Sequence, residues 1–173
     1  MISVLICDDH PIVREGLKQI LSTCTDIVVA GEASSCREAL MKTRQETFDI
    51  VLLDIIMPDR SGLDIISEIK HKKPDLPILM LSAYPEERYG VTALKSGASG
   101  YLMKKSLPGK VITAIRDICD GRKYISPNLA TRMVSYLNAE ESVLPHEKLS
   151  GREYQVMRMI AAGKKSPRSL RNC

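Results

Sequence analysis

No apolar run in the 173 residues approaches the roughly 18 that a membrane-spanning helix requires, so no membrane partner is expected. The opening Met1-Ile2-Ser3-Val4-Leu5-Ile6 lacks the basic flank and small-residue cleavage site of a signal peptide and reads instead as a first strand of a cytoplasmic protein. None of the five cysteines (Cys7, Cys24, Cys36, Cys119 and Cys173) forms a C-x-x-C pair or falls at a metal-ligand spacing, which argues against a zinc site or a dithiol centre. Reduced, structural thiols are the expectation.

The net charge of +4 conceals an uneven distribution. Residues 1–121 carry 15 Lys/Arg against 17 Asp/Glu, whereas residues 122–173 carry 10 against 4. The acidic part suits cation binding and the basic tail suits a polyanion.

β-rich apolar runs recur at Ser3–Cys7, Ile27–Gly31, Ile50–Leu53, Ile78–Leu81 and Gly100–Met103, with helical periodicity between them. Five strands alternating with helices predict an α/β, doubly wound, five-stranded parallel sheet covered on both faces. Pro11 opens the first helix, on which Ile12, Val13, Leu17, Ile20 and Leu21 share one face. Ser35 and Glu38 have the spacing of a capping box for the second. Gly62 to Lys70 gives the third helix, Glu86 to Ser96 the fourth and Leu107 to Asp120 the fifth, with Gly97 and Gly121 placed as stops. A short amphipathic helix through about Leu137, with Leu129, Met133, Val134 and Leu137 inward, follows as a helical tail.

In this architecture ligands gather at the carboxyl ends of the strands. Asp8 and Asp9 follow the first strand and Asp54 ends the third, so three carboxylates should converge there. Clustered acids need a cation, and oxygen ligands of this kind suit Mg²⁺. Ser82 at the end of the fourth strand offers a hydroxyl, and Lys104 after the fifth offers a charge able to reach a phosphoryl group. His10, after the acidic pair, reads as a loop residue.

These residues resemble the receiver domain of two-component response regulators over essentially all of residues 1–121. The matching pieces are Asp8-Asp9-His10-Pro11, Asp54 with Pro58 and Gly62, Ser82-Ala83, and Tyr101-Leu102-Met103-Lys104. The resemblance implies a flavodoxin-like receiver in which Asp54 accepts a phosphoryl group from a phosphohistidine on a sensor histidine kinase. It implies that Asp9, Asp54 and the backbone carbonyl of Ile56 bind Mg²⁺ directly, with Asp8 acting mainly through water. Lys104 would neutralise charge on the transferred group, Ser82 would donate to a phosphoryl oxygen, and Tyr101 would rotate into the space that Ser82 vacates. Homodimerisation through the receiver is common in such proteins. The competing reading is a metal-dependent phosphohydrolase with an aspartate nucleophile, of the haloacid dehalogenase type. Such enzymes place a second acid two residues after the nucleophile, where this chain has Ile56, so no turnover enzyme is expected.

Residues 122–148 read as a helical linker. Leu149 to Gly163 resembles the first helix of a LuxR-type helix-turn-helix domain, with Ser150 and Glu153 as its capping box, which points to the NarL/FixJ class of transcription regulators. The family continues with a recognition helix, whereas the sequence here ends Lys164-Lys165-Ser166-Pro167-Arg168-Ser169-Leu170-Arg171-Asn172-Cys173. Residues 149–173 are therefore expected to be a truncated helix-turn-helix fragment, and DNA, a partner of a full-length parent, is not an expected sequence-specific partner of this chain.

Overall fold

The computed structural model describes residues 1–138; the remaining linker residues and the helix expected from Leu149 to Gly163 lie outside the described residues. Five strands, β1 (Ile2–Cys7), β2 (Ile27–Ala33), β3 (Ile50–Asp54), β4 (Ile78–Ser82) and β5 (Gly100–Met103), pair in parallel in the order β2-β1-β3-β4-β5. The order reverses between β1 and β3, which opens a crevice beyond their carboxyl ends. Helices cover both faces, and so the central strands are apolar on both: every residue of β3 and β4 is buried.

Alternation along each strand divides the core into two layers. Leu5, Cys7, Val51 and Leu53 face the side of α2 (Cys36–Gln45), α3 (Gly62–Lys72) and α4 (Glu86–Lys95). Val4, Ile6, Ile50 and Leu52 face the side of α1 (Pro11–Leu21) and α5 (Leu107–Cys119).

Local signals in the sequence explain the helix ends. The Ser35 side chain accepts from the Glu38 N–H at 3.2 Å, as a capping box requires, but the Glu38 carboxylate returns to the N–H of Ser34, at 2.8 Å, rather than to that of Ser35. Ser61 caps α3 by accepting from the Leu63 N–H at 3.3 Å. Gly97 and Gly121 follow α4 and α5 with φ of +109° and +84°, a conformation in which a Cβ would be strained.

A sixth helix, α6 (Pro127–Asn138), returns to the sheet domain. Before it, Tyr124 forms a parallel bridge to Gly100 at the outer edge of β5. Two expected inward residues are exposed: Ile12 in the first turn of α1, at 83%, and Val134 on α6, at 58%. Val13 in the same turn packs against the core beside Leu17, so Ile12 falls on the outer side of α1. α6 packs mainly on α4 and only Leu129 joins the cluster that includes Tyr101 of β5, so its buried stripe is narrower than its apolar periodicity. No helix among the described residues is long and apolar enough to cross a membrane.

Candidate phosphoacceptor site

The carboxyl ends of β1, β3 and β5 bring four of the expected residues into the crevice. Asp54 ends β3 and is 2% exposed, and Asp8, which follows β1, is fully buried. Lys104, in the turn after β5, reaches both, with Nζ 2.7 Å from Asp8 Oδ2 and 2.8 Å from Asp54 Oδ2. Asp9 is more open, and the His10 ring lies beside the acidic pair, its Nδ1 2.7 Å from Asp9 Oδ1 and 3.2 Å from Asp8 Oδ1. One ligand atom from each of Asp8, Asp9, His10 and Asp54 falls within 4.8 Å of the others.

Burial dominates the acid chemistry. Withdrawal from water pushes the Asp54 carboxyl up to about 6, against the opposing pull of the Lys104 ammonium, and the neighbouring charge of Asp8 adds to the rise. Burial by itself would lower the basicity of Lys104, but Asp54 and Asp8 more than reverse this and hold it above the ordinary lysine range. The cluster therefore carries more negative charge than one ammonium can balance. Asp8 Oδ2 and Asp9 Oδ1 are buried oxygens that meet the Lys104 ammonium and the His10 ring but no other donor among the described residues, so the oxygen-rich donor set fits a hard divalent cation.

The backbone beneath Asp54 is fixed by Gly62. A Cβ on Gly62 would stand 1.9 Å from the Asp54 carbonyl oxygen, so only glycine permits α3 to begin this close to the end of β3. Ile56 lies in the intervening loop, held by an antiparallel bridge to Ser61.

On the other side, Ser82 is fully buried and its Oγ accepts from the Tyr84 N–H at 2.9 Å. The Tyr101 ring is buried, 3% exposed, and its hydroxyl donates to the Tyr84 carbonyl at 3.0 Å. The tyrosine expected to turn inward as part of a switch thus already lies inward here.

Three supporting residues escaped the sequence reading. His10 holds the loop position expected of it, yet its ring joins the acidic cluster. Arg14 donates from Nη1 to the Asp8 carbonyl at 2.8 Å and from Nε to Glu32 at 3.0 Å, which ties the acidic loop to α1 and β2. Asp59 accepts from the N–H groups of Cys36 and Arg37, each at 2.9 Å, and so anchors the loop after β3 to the start of α2.

The family model of the response regulator receiver domain matches residues 4–116. The chain belongs to the response regulators. It is 38% identical over 166 residues to the response regulator UvrY of Escherichia coli (strain K12), spanning 95% of this chain and 76% of UvrY. The response regulator GacA of Pseudomonas protegens is 34% identical over 165 residues, spanning 95% of this chain and 78% of GacA. Among solved structures, a LuxR-family two-component response regulator from Aurantimonas sp. SI85-9A1 superposes with a TM-score of 0.73 at 30% identity, covering 80% of this chain and 99% of the other. This response regulator is accordingly a component of two-component signalling and of the LuxR-type class that regulates transcription, and proteins of its family work with sensor histidine kinases. The matches give no support to the phosphohydrolase reading.

Proposed function

We propose that Asp54 is the phosphoacceptor of this response regulator, charged by a phosphohistidine of a sensor histidine kinase. The observation that carries this reading is the pairing of a buried Asp54 with Lys104 beside two further acids at the strand ends. An Asp54 oxygen attacks phosphorus, the phosphorus–nitrogen bond of the phosphohistidine breaks, and the imidazole leaves with the electron pair and takes up a proton. The product is an acyl phosphate on Asp54.

Asp9, Asp54 and the Ile56 carbonyl would hold Mg²⁺ directly, with Asp8 behind them. When bound, Mg²⁺ supplies positive charge to the phosphoryl oxygens. Lys104 supplies the second positive charge from the protein itself, which is where most of the catalytic effect in phosphoryl transfer resides. Burial lifts Asp54 toward neutrality, so cation binding and Lys104 also serve to keep it ionised and nucleophilic. Ser82 would donate its hydroxyl to a phosphoryl oxygen, exchanging its present role as acceptor from Tyr84 for a role as donor. Tyr101 is the switch residue of this reading.

Residues 1–121 would carry this chemistry in the cytoplasm, 122–148 would link, and 149–173, which lie outside the described residues, would belong to the output region. The test is exposure of the purified protein to a small phosphodonor with Mg²⁺, followed by intact-mass measurement. One phosphoryl group is expected on the wild type and none on Asp54→Asn or without a divalent cation. Undiminished labelling of that variant would sink the assignment.

A further inference from the structure

The edge of β5 is covered by the chain's own continuation, and the covering segment grips the residue on which the proposed switch turns. Tyr124 donates its N–H to the Ser99 carbonyl at 3.0 Å and accepts at its own carbonyl from the Tyr101 N–H at 3.1 Å. Lys123 Nζ donates to the Ala98 carbonyl at 3.1 Å. The main chain on both sides of Gly100 is therefore clamped by residues 123 and 124.

Beyond this clamp α6 lies on α4. Leu129 is fully buried and shares one apolar cluster with Tyr101, Tyr89 and Ala93. Its side chain fills the space where Gly90 has no Cβ: an added Cβ would stand 2.7 and 2.9 Å from the two Leu129 δ-carbons. Ser126 joins the two helices by donating from Oγ to Glu86 while accepting from the Leu129 N–H at 3.0 Å. Further along, the Lys95 ammonium lies 4.1 Å from the centroid of the Tyr136 ring.

The same tyrosine thus connects two regions. Its ring packs in the cluster that Leu129 completes, its N–H is held by Tyr124, and its hydroxyl is held by the Tyr84 carbonyl. Tyr84 in turn donates its N–H to Ser82, the hydroxyl of the phosphoacceptor site. Turning Tyr101 outward would give up the Tyr84 bond and unpack Leu129, so the inward ring and the docked helix stabilise one another.

We propose that residues 122–138 are an integral, phosphoryl-sensitive element of the receiver, and that phosphorylation tightens the docking of α6 on α4 and β5 rather than releasing it. The inference rests on Asp54 and Ser82 being the phosphoryl site. A phosphoryl oxygen that engages Ser82 favours the Tyr101 arrangement that Leu129 also favours. Linkage requires the effect to be reciprocal, so a docked α6 must strengthen binding of a phosphoryl mimic at the site by the same factor.

Hydrogen exchange on the full chain, with and without beryllofluoride and Mg²⁺ as a phosphoryl mimic, tests the sign. Amides of Tyr124, Leu129 and Ala130 should exchange about tenfold more slowly with the mimic bound, a coupling of ordinary allosteric size. Gly90→Ala and Leu129→Ala, which loosen docking from opposite sides, should each weaken beryllofluoride binding by a comparable factor, and Tyr101→Phe should reduce the exchange effect. Unchanged or faster exchange at these amides with the mimic bound overturns the proposal. Absence of any Mg²⁺-dependent beryllofluoride binding overturns the phosphoacceptor reading itself, and this proposal with it.

Discussion

At the ends of β1 and β3 Asp8 and Asp54 are held by charge to Lys104, which reaches across from the turn after β5, at 2.7 and 2.8 Å, whereas in β4 and β5 Ser82 and Tyr101 are neutral hydroxyls tied to the main chain of Tyr84, at 2.9 and 3.0 Å. Buried charges in a tight cluster are expensive to hold and hard to rearrange. A neutral hydrogen bond is worth only about 0.5–1.5 kcal/mol net and can be exchanged for another at little cost. The first half is suited to chemistry at a fixed place, and the second to reporting a change.

The comparison is broken most severely at Gly62. Its missing Cβ is what lets the charged half form, and Gly62→Ala would set a carbon 1.9 Å from the Asp54 carbonyl oxygen. We expect a loss of about 3 kcal/mol or more, from overpacking against backbone that has no rotamer to yield. The midpoint of denaturant unfolding measures it; a variant as stable as the wild type would show that the close approach is not required.

Next in size is the cost of Asp54 itself. Burial pushes its carboxyl up to about 6 in the folded protein from the ordinary 3.8, so the folded chain binds more protons than the unfolded chain between these values. In the cation-free protein, stability therefore falls as pH rises from about 4 to about 6, and the full deficit, on the order of 2–3 kcal/mol, persists above that range. Asp54→Asn should remove this pH dependence and stabilise the cation-free protein at neutral pH while abolishing phosphorylation. Melting curves at pH 4 to 8 that coincide in shape for wild type and variant would contradict the electrostatic account.

The smallest effect belongs to the neutral half. Ser82→Ala removes the acceptor for the Tyr84 N–H and should cost about 1 kcal/mol. It should leave the pH dependence assigned to Asp54 unaltered, since no charge is touched. A Ser82→Ala protein whose stability varies differently with pH would show that the two halves are coupled electrostatically.

What the sequence made legible follows the same division. The strands, the two glycine stops and the placing of Asp8, Asp54, Ser82 and Lys104 were readable because each depends on local periodicity or on which strand end a residue occupies. Arg14 and Asp59 were not, because their value lies in contacts to Glu32 and to the α2 amides, 18 and 23 residues away in the chain. The exposure of Val134 was equally hidden: a helical repeat marks an apolar side but not how far a neighbouring surface extends beneath it. The inward setting of Tyr101 rests on an acceptor 17 residues earlier, which no spacing rule supplies.

The bridge between Tyr124 and Gly100 also bears on how this module could be transplanted. A chimera joined at Gly121, the natural-looking punctuation mark after α5, would strip the outer strand of its only neighbour on that side among the described residues and leave amide groups of a short parallel strand open to any extended segment of the new partner. A graft that carries the chain through Tyr136 would bring its own selvedge with it.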